Sequence, residues 1–447
     1  MNKSFSITIR NKNNKFSKII YVDADKSITH RALFLSSQCR GISNLKGLES
    51  EDVDSTIQGL RNLGVKIIKK KNCYQVYGNG IGSINHHKNL IYCGNSGTSA
   101  RFFLGLLSTY PYPITVTGDN SLKKRPMKRV TKHLELIGAR INKIFKKNLN
   151  LPFVIEGTNF PLAQSHKLES PSAQVKTAIL LSSLNTPGIT EIVEKHNTRN
   201  HTELLLKKIG ADIKVLKVKN KKIITIKGQH EMNSFNYIIP CDPSSACFFV
   251  VQTLLTNNSS LLLKNVCVNK TRIGFIEILR KMNGKIKLMN KRKIFNENVA
   301  DIYVKSSKLK NIKCNKKIIP RTIDELPSIF IACALAKGQS SFTGIKELRY
   351  KESDRIINME KVLNKLGIKT VSTIDTLKII GNPKLQNLSK IIIDSKRDHR
   401  VAMNFFILGQ IIGGNINIKN FETVNTSFPN FLKIQKKIGS KYDIKKN

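Results

Sequence analysis

The sequence has no tryptophan and no apolar run long enough to cross a bilayer. The longest apolar stretches, around residues 329–336 and 405–408, fall short of the roughly 20 residues that a membrane helix needs. The first ten residues, MNKSFSITIR, also lack the apolar core of a signal peptide. We therefore expect a cytoplasmic protein without a membrane partner.

The eight cysteines stand at positions 39, 73, 93, 241, 247, 267, 314 and 333, without a C-x-x-C pair or a histidine at zinc-binding spacing. This pattern predicts reduced thiols with mostly structural roles. We expect neither a metal ion nor a cofactor.

Acidic residues are scarce, because 30 Asp and Glu accompany 76 Lys and Arg, and the formal net charge is +46. Such a charge is typical of nucleic-acid-binding proteins. However, the lysines are dispersed among asparagines and isoleucines, as AT-rich codon usage would produce. No arginine-rich helix, zinc finger or aromatic RNA-binding strand accompanies them. We favour the compositional explanation and expect no nucleic-acid partner, with a basic nucleic-acid-binding protein as the alternative.

One short phrase recurs six times: a hydrophobic helix end, then glycine or asparagine, then the start of a strand. Gly and Asn tolerate the left-handed conformation that commonly ends a helix. Copies lie 72 to 84 residues apart and are marked by Gly64, Gly138, Gly210, Asn283, Gly367 and Gly439. The repeat predicts six α/β units. Because a single core rarely grows beyond about 250–300 residues, we expect two domains of three units each.

Polar clusters stand directly before apolar, helix-forming segments in the amino-terminal half. D-K-S-I-T-H-R contains Lys26, Ser27 and Arg31, and G-N-S-G-T-S-A-R contains Gly97. Free backbone N–H groups and the helix dipole favour anions at such places. An ordinary helix cap with solvated charges is the alternative for each cluster taken alone.

Three further clusters follow this pattern. K-K-R-P-M places the Arg125 guanidinium just before a helix that Pro126 is predicted to begin. Ser172, Ala173 and Gln174 lie in S-A-Q-V-K-T, and Arg199 and His201 lie in T-R-N-H-T-E. We interpret His201 as structural, because no nucleophile motif accompanies it.

The carboxyl-terminal half contributes I-D-E-L-P with Asp324, K-E-S-D-R over residues 351–355, and D-H-R with Arg400. The four-residue spacing of Lys351 and Arg355 predicts that both lie on one helical face. A surface helix with ion pairs is the alternative.

In this order, and with N-T-P-G and T-S-F-P, these segments resemble the 3-phosphoshikimate 1-carboxyvinyltransferase (EPSP synthase) family over almost the whole chain. S-A-Q-V-K is similar to one bacterial branch. The resemblance implies an inside-out α/β barrel fold with two domains, each of three α/β units with helices inside and sheets outside. Residues 1–24 and 242–447 would form the first, discontinuous domain and residues 25–241 the second, with the active site in the cleft between them.

The family transfers the enolpyruvyl group of phosphoenolpyruvate to the 5-hydroxyl of shikimate 3-phosphate by addition and elimination, and it releases phosphate. The resemblance implies these two substrates as partners, and we expect a monomer. The sister enzyme that acts on UDP-N-acetylglucosamine is the rival. It normally uses a mobile-loop cysteine, and none occurs between Tyr110 and Met127.

Both substrates carry a phosphate and a carboxylate, which arginine binds with paired donors. By resemblance, the shikimate 3-phosphate ligands are Lys26, Ser27, Arg31, Ser172, Ala173, Gln174, Arg199, Asp324 and Lys351. The phosphoenolpyruvate ligands are Lys26, Gly97, Arg125, Gln174, Arg355 and Arg400. The resemblance also implies that Asp324 is the base at the acceptor hydroxyl, that Glu352 is the acid at the methylene, and that Lys26 stabilises charge.

Gly97 has a further implication. Naturally glyphosate-tolerant members of the family have alanine at this position, whereas this chain has glycine. We therefore expect glyphosate to compete with phosphoenolpyruvate.

Overall fold

The computed structural model describes residues 4–70, 73–85, 88–144, 150–386 and 389–446. The chain divides into two compact units. Unit 1 consists of Met1–Asp23, Pro240–Ile294 and Asn298–Asn447, and unit 2 of Ala24–Ile239 and Phe295–Glu297. The sequence assigns residues 295–297 to the first domain, whereas the structure groups them with unit 2. The reason is packing, since the ring of Phe295 stacks on Tyr237 with 4.4 Å between centroids.

Thirteen helices follow one another along the described residues. They are α1 (Lys26–Ser37), α2 (Glu51–Asn62), α3 (Gly97–Leu107), α4 (Asn120–Lys123), α5 (Lys128–Glu135), α6 (Ala173–Leu184), α7 (His201–Lys208), α8 (Pro243–Leu255), α9 (Gly274–Lys281), α10 (Leu326–Ala334), α11 (Arg355–Lys365), α12 (His399–Ile412) and α13 (Phe431–Lys437). Short 3-10 segments occupy Lys316–Arg321, Lys346–Tyr350 and Phe421–Thr426. Over the same residues, no helix is both long and apolar enough to cross a membrane.

The strands also follow chain order. They are β1 (Phe5–Ile9), β2 (Ser17–Ile20), β3 (Arg40–Lys46), β4 (Lys66–Lys70), β5 (Cys73–Asn79), β6 (Leu90–Tyr92), β7 (Pro113–Thr117), β8 (Arg140–Lys143), β9 (Phe153–Glu156), β10 (Ser165–Leu168), β11 (Ile189–Glu194), β12 (Ile213–Val218), β13 (Lys221–Lys227), β14 (Asn236–Ile238), β15 (Ser260–Cys267), β16 (Lys285–Ile294), β17 (Glu297–Lys305), β18 (Gly338–Thr343), β19 (Thr370–Ser372), β20 (Thr376–Gly381), β21 (Ile391–Asp394), β22 (Ile416–Lys419) and β23 (Asp443–Lys446).

Within the described ranges these strands form six small sheets, three in each unit. The sheets of unit 2 have the orders β14-β3-β5-β4, β6-β7-β9-β8 and β10-β11-β13-β12. Those of unit 1 are β2-β15-β17-β16, β21-β22-β1-β23 and β18-β20-β19. In five sheets the first pair of strands is parallel and the second antiparallel.

The sixth sheet, β18-β20-β19, keeps the same pattern in reduced form. In place of a parallel neighbouring strand, this sheet has isolated parallel bridges, one of which joins Lys313 to Ser341 of β18. The structure therefore confirms the prediction of six related α/β units.

Helices fill the interior of each unit. In unit 2, every residue of α1 from Ile28 onward and every residue of α6 from Val175 onward is buried. In unit 1, every residue of α10 is buried. A helix whose residues are buried on every side is covered by neighbours all round and therefore lies in the interior. The arrangement of helices inside and sheets outside, implied by the resemblance, is thus confirmed within each unit.

The six predicted turn positions all adopt positive φ, between 74° at Asn283 and 113° at Gly138. Each turn follows a helix and precedes a strand. At each turn the next residue donates its N–H to a carbonyl five positions earlier, as from Val65 to Leu60 at 3.1 Å and from Ser440 to Gln435 at 3.0 Å. This bond is typical of the Schellman motif, which explains why glycine or asparagine recurs there.

The cysteines behave as predicted. All eight thiols are free, and all except that of Cys73 are buried. Burial raises the pKa of Cys314 to about 11 and that of Cys333 to about 12, so both are held as thiols at neutral pH.

Candidate active site

The polar clusters of unit 2 open three buried helices, as predicted. Lys26, Gly97 and Ala173 are the first residues of α1, α3 and α6. The side chain before each of them caps the helix, because Asp25, Ser96 and Ser172 each accept a hydrogen bond from a backbone N–H three residues further on. The other N–H groups of these first turns suit anionic ligands.

Arg31 joins α1 to two other helices. Its Nε donates to Thr202 Oγ1 at 2.8 Å, and its Nη2 donates to Thr177 Oγ1 at 3.1 Å. The two hydroxyls lie 2.6 Å apart, and Nη1 donates to the carbonyl of Ser27. The guanidinium is also 5.0 Å from the ring centroid of Phe102. These contacts fix the orientation of Arg31 beside Ser27.

Arg101 is a site residue that sequence reasoning missed. Its Nη1 donates to Gln174 Oε1 at 2.7 Å and to the carbonyl of Gly97 at 3.0 Å, and its Nη2 donates to the carbonyl of Pro126 at 3.3 Å. It therefore connects three of the predicted clusters. The available signal was its position four residues after Gly97, which places it one turn along α3.

Gly97 is surrounded by guanidinium groups. A Cβ at this position would lie 2.7 Å from Arg101 Nη1 and 3.2 Å from Arg125 Nη1. The first distance is shorter than real Cβ contacts, so a methyl group would displace Arg101. The observed positions of the Arg101 and Arg125 guanidinium groups therefore require glycine at position 97.

Arg125 is nearly buried and donates from Nη2 to Asn95 Oδ1 and to Ser121 Oγ. The predicted proline-initiated helix is wrong by two residues, because α5 begins at Lys128. The first backbone carbonyl that accepts a hydrogen bond from this helix is that of Met127, which accepts the N–H of Val130 at 2.8 Å. The carbonyl of Pro126 instead accepts a hydrogen bond from Arg101.

The other predicted residues of unit 2 have different environments. Lys26 Nζ lies 2.7 Å from Asp52 Oδ2, and both side chains are mostly buried. Gln174 donates to Thr98 Oγ1 at 2.9 Å, while Arg199 is half-buried in the loop after β11. His201 Nδ1 lies 2.6 Å from Glu297 Oε1 and both side chains are buried, so the structural role of His201 stays a prediction that this contact supports.

In unit 1, the prediction of a shared helical face for Lys351 and Arg355 is wrong. Helix α11 begins only at Arg355, because Asp354 accepts the N–H of Ile357 at 3.1 Å as its N-cap, and Lys351 is extended. The two cations nevertheless converge on one carboxylate. Asp324 Oδ1 lies 3.1 Å from Lys351 Nζ and 3.7 Å from Arg355 Nη1.

Arg355 lies among the carboxylates of Asp324, Glu352 and Asp398, and it is 1% exposed. It forms ion pairs with Glu352 through Nη2 and with Asp398 through Nε, the latter at 2.9 Å. Burial alone would lower the pKa of this guanidinium, but the carboxylates of Asp398, Glu352 and Asp324 together raise it above its ordinary value. Arg355 is therefore a permanent, fixed cation.

Asp398 and Arg400 complete this cluster. Asp398 caps α12 by accepting the N–H of Arg400 at 2.9 Å, and Arg400 Nη1 donates to the carbonyl of Asp324 at 3.0 Å. Sequence reasoning named Arg400 but missed the role of Asp398, although it opens the D-H-R motif. The structure thus gathers Asp324, Lys351, Glu352, Arg355 and Arg400 in one place.

Each unit therefore holds an array of oriented cations at the ends of buried helices, and within each unit carboxylates contact some of its own cations, as Asp52 does in unit 2 and Asp324 in unit 1. Guanidinium and ammonium groups of this kind bind phosphate and carboxylate, and carboxylates can transfer protons. Fold and site define a transferase for anionic substrates, built from two sets of three α/β units.

The chain belongs to the EPSP synthase (3-phosphoshikimate 1-carboxyvinyltransferase) family, whose model matches residues 10–434. It is 41% identical over 430 residues to the 3-phosphoshikimate 1-carboxyvinyltransferase of Zymomonas mobilis, covering 95% of this chain and 94% of that protein. It is 40% identical over 425 residues to the Petrotoga mobilis protein of the same name, covering 94% and 96%. An EPSP synthase structure from Acinetobacter baumannii is 37% identical with a TM-score of 0.86, covering 99% of this chain and 100% of that one. The resemblance drawn from the motifs is confirmed.

Proposed function

We propose that this chain transfers the enolpyruvyl group of phosphoenolpyruvate to the 5-hydroxyl of shikimate 3-phosphate and releases phosphate. The observation that carries the proposal is the cluster of Asp324, Lys351, Glu352 and Arg355, in a chain that belongs to this family over most of its length. A carboxylate within reach of a lysine and an arginine is suited to proton transfer on anionic substrates.

Shikimate 3-phosphate binds, in this proposal, to the helix starts of unit 2. Lys26 and Ser27 open α1, and Ala173 and Gln174 open α6, where the backbone N–H groups of a first helical turn favour a phosphate. Arg31 supports the site through its bonds to Thr177 and Thr202. The ligands that complete the set in this proposal are Ser172, Arg199, Asp324 and Lys351.

Phosphoenolpyruvate carries three negative charges when fully ionised, so its site requires several fixed cations. Arg125, Arg355 and Arg400 supply planar guanidinium groups that match phosphate and carboxylate with paired donors. Lys26 adds an ammonium group near Asp52. Gly97 has no side chain, and the guanidinium groups of Arg101 and Arg125 occupy the space beside it. Gln174 completes the proposed set of phosphoenolpyruvate ligands.

The proposed chemistry has two stages. In the addition, Asp324 takes the proton of the 5-hydroxyl while the hydroxyl oxygen attacks the enol carbon of phosphoenolpyruvate. Glu352 gives a proton to the methylene carbon, which becomes a methyl group. In the elimination, the methyl group returns a proton to the Glu352 carboxylate, the carbon–oxygen bond to phosphate breaks, and the proton held by Asp324 leaves with the phosphate. Lys351 favours the ionised form of Asp324 that a base requires. Lys26 stabilises charge on the tetrahedral intermediate.

Glu352 has to leave its ion pair with Arg355 before it can carry a proton. An anionic group of phosphoenolpyruvate that binds the Arg355 guanidinium would displace the Glu352 carboxylate. In this proposal, binding of phosphoenolpyruvate therefore releases Glu352 from Arg355 and allows Glu352 to carry the proton that it donates.

The test is phosphate release by the purified protein. With phosphoenolpyruvate and shikimate 3-phosphate together we expect steady release, and with phosphoenolpyruvate and UDP-N-acetylglucosamine we expect none. The reverse pattern would assign the chain to the sister activity. Absence of release with either acceptor, together with salt-dependent binding of RNA, would favour the nucleic-acid alternative.

A further inference from the structure

A fully buried ion cluster lies behind the start of α6 and takes no part in the proposed chemistry. Lys176 Nζ is 2.7 Å from Glu203 Oε1, 3.2 Å from Glu194 Oε1 and 3.3 Å from Glu194 Oε2. The exposed fractions of these three side chains are 0%, 5% and 1%. The cluster connects three elements, since Lys176 belongs to α6, Glu203 to α7 and Glu194 to the end of β11.

Stability alone is a poor explanation for these charges. Removing an ammonium and two carboxylates from water costs several kcal/mol per ion, and well-packed apolar residues of similar volume commonly serve a core equally well. In addition, Glu203 Oε2 is buried and has no hydrogen-bond partner among the residues that the structure describes. A buried cluster of this kind requires an explanation in terms of geometry.

The two glutamates differ in what they hold. Glu203 contacts Lys176 from within α7. Glu194 contacts Lys176 and also accepts two hydrogen bonds from Thr198, one from its backbone N–H at 3.2 Å and one from its hydroxyl. The connection from Lys176 to the loop after β11 therefore runs through Glu194.

Thr198 is the anchor of this loop. Residues 195–197 are exposed, and Thr198 is the first residue of the loop that is buried again. Arg199 follows directly, and α7 begins two residues later at His201. The direction in which the chain presents Arg199 is consequently set by how Thr198 is held.

A second connection between the same two helices lies one residue away on each. Thr177 and Thr202 share a hydrogen bond and both accept from Arg31. Lys176–Glu203 and Thr177–Thr202 thus join α6 to α7 side by side, whereas Glu194 extends the cluster toward Arg199.

We infer that Glu194, clamped by Lys176, is a positioning residue for shikimate 3-phosphate binding. It holds Thr198 and thereby aims Arg199 at the ligand that Ser172, Ala173 and Gln174 bind from the start of α6. The inference rests on the proposed function, because that proposal makes Arg199 a ligand of shikimate 3-phosphate.

The two glutamates offer a matched experiment. Glu194→Ala and Glu203→Ala each remove one buried carboxylate of equal size, and each leaves Lys176 with one remaining ion-pair partner. Of the two changes, Glu194→Ala is the one that releases Thr198. A purely structural cluster would respond to both changes alike.

Binding of shikimate 3-phosphate alone is measured by calorimetry, and thermal unfolding is followed in parallel. We expect Glu194→Ala to weaken Kd by about tenfold or more, the scale of a lost hydrogen bond to a charged group. We expect Glu203→Ala to change Kd by less than about threefold, because the loop anchor is kept. Equal weakening in both variants would overturn the inference.

Thr198→Val provides a milder variant if Glu194→Ala does not fold. It replaces only the hydroxyl that bonds Glu194. Its control is Ser183→Ala, which removes a buried hydroxyl near the end of α6, away from the loop after β11. We expect Thr198→Val to raise KM for shikimate 3-phosphate while kcat at saturation stays near the native value, with Ser183→Ala changing neither. An unchanged KM in Thr198→Val would also overturn the inference. If the native protein neither binds shikimate 3-phosphate nor releases phosphate, the proposed function itself fails.

Discussion

The Nε of Arg355 donates to Asp398 Oδ2 at 2.9 Å, and this ion pair joins the first residue of α11 to the N-cap of α12. Asp398 therefore has two tasks. Oδ1 accepts the N–H of Arg400 and a longer bond from Arg355 Nη2 at 3.4 Å, and Oδ2 accepts from Arg355 Nε and from the hydroxyl of Ser353. A substitution that keeps the cap but removes the charge separates these tasks.

Asp398→Asn is such a substitution, because asparagine caps helices as well as aspartate does. We expect the melting temperature to fall, because one partner of a buried ion pair loses its charge. We expect KM for phosphoenolpyruvate to rise by about tenfold or more, since Arg355 loses a charge-assisted hydrogen bond that orients it. Asp354→Asn is the matched control, because Asp354 is also an N-cap but pairs with Arg349. Equal effects of the two variants on KM would show that Asp398 acts only as a cap.

The proton-transfer roles predict losses of turnover. We expect Asp324→Asn and Glu352→Gln each to lower kcat by about a hundredfold or more, the scale for a positioned acid or base. Glu360→Gln, a change of a carboxylate in helix α11 that is bonded to Ser372, should stay near the native rate. Steady-state assays of phosphate release measure all three. Near-native kcat in Asp324→Asn or Glu352→Gln would remove that residue from the chemistry.

Gly97→Ala tests the packing of guanidinium groups around α3. The added methyl would lie 2.7 Å from Arg101 Nη1, so Arg101 has to move and its bond to Gln174 is disturbed. Overpacking of this kind typically costs about 1–3 kcal/mol. We expect KM for phosphoenolpyruvate to rise and the inhibition constant of glyphosate to rise further, by roughly tenfold for each 1.4 kcal/mol. An unchanged ratio of inhibition constant to KM would show that the methyl group does not discriminate between the two ligands.

Two buried histidines predict a pH dependence of stability. The rings of His133 and His166 lie 5.4 Å apart, and burial, aided by the charge of Lys132 at His133 and of His133 at His166, lowers the pKa of each to about 4. Unfolded histidine titrates near 6.5, so below that pH the unfolded chain binds more protons than the folded one. Stability contributed by the neutral rings is therefore complete above about pH 6.5 and is lost as pH falls toward 4.

His166→Leu should remove this dependence at one of the two sites. Neither ring nitrogen of His166 has a hydrogen-bond partner in the described residues, so leucine loses no bond there. We expect the variant to gain about 2 kcal/mol relative to the native protein when pH changes from about 7 to about 5. Urea unfolding at the two pH values gives the free energies. A constant difference between variant and native protein would show that His166 titrates normally.

Much of the fold was predictable because its signal is local. A left-handed residue after a helix depends on the residue itself, which is why Gly64 and Asn283 could be recognised in the same role. The grouping of Phe295 with unit 2 had no such signal, because it depends on a ring stacked against Tyr237 far away in sequence.

The candidate site likewise has features that local sequence signals predicted and features that depend on contacts between distant residues. The polar clusters that contain Lys26, Gly97 and Ala173 were predicted to stand directly before helices, whereas the helices begin at these residues and take the clusters into their first turns. Arg101 was missed because its importance comes from contacts to Gln174 and Pro126, which short spacing along the chain does not reveal. The start of α11 was misjudged because Asp354 accepts a backbone N–H and fixes the helix boundary after Lys351.

The sheet β21-β22-β1-β23 determines when synthesis of this chain can yield a finished fold. Strand β1 is translated long before β22 and β23, yet it pairs with both, and Phe5 lies opposite Lys446. At about 5–20 residues per second, β1 waits for tens of seconds until its partners are made, whereas residues 24–239 are translated without interruption. Unit 2 can therefore complete its own sheets first, and the sheet that contains β1 forms only after β22 and β23 have been translated. A nascent β1 with unpaired edges is therefore a segment that a chaperone would need to shield.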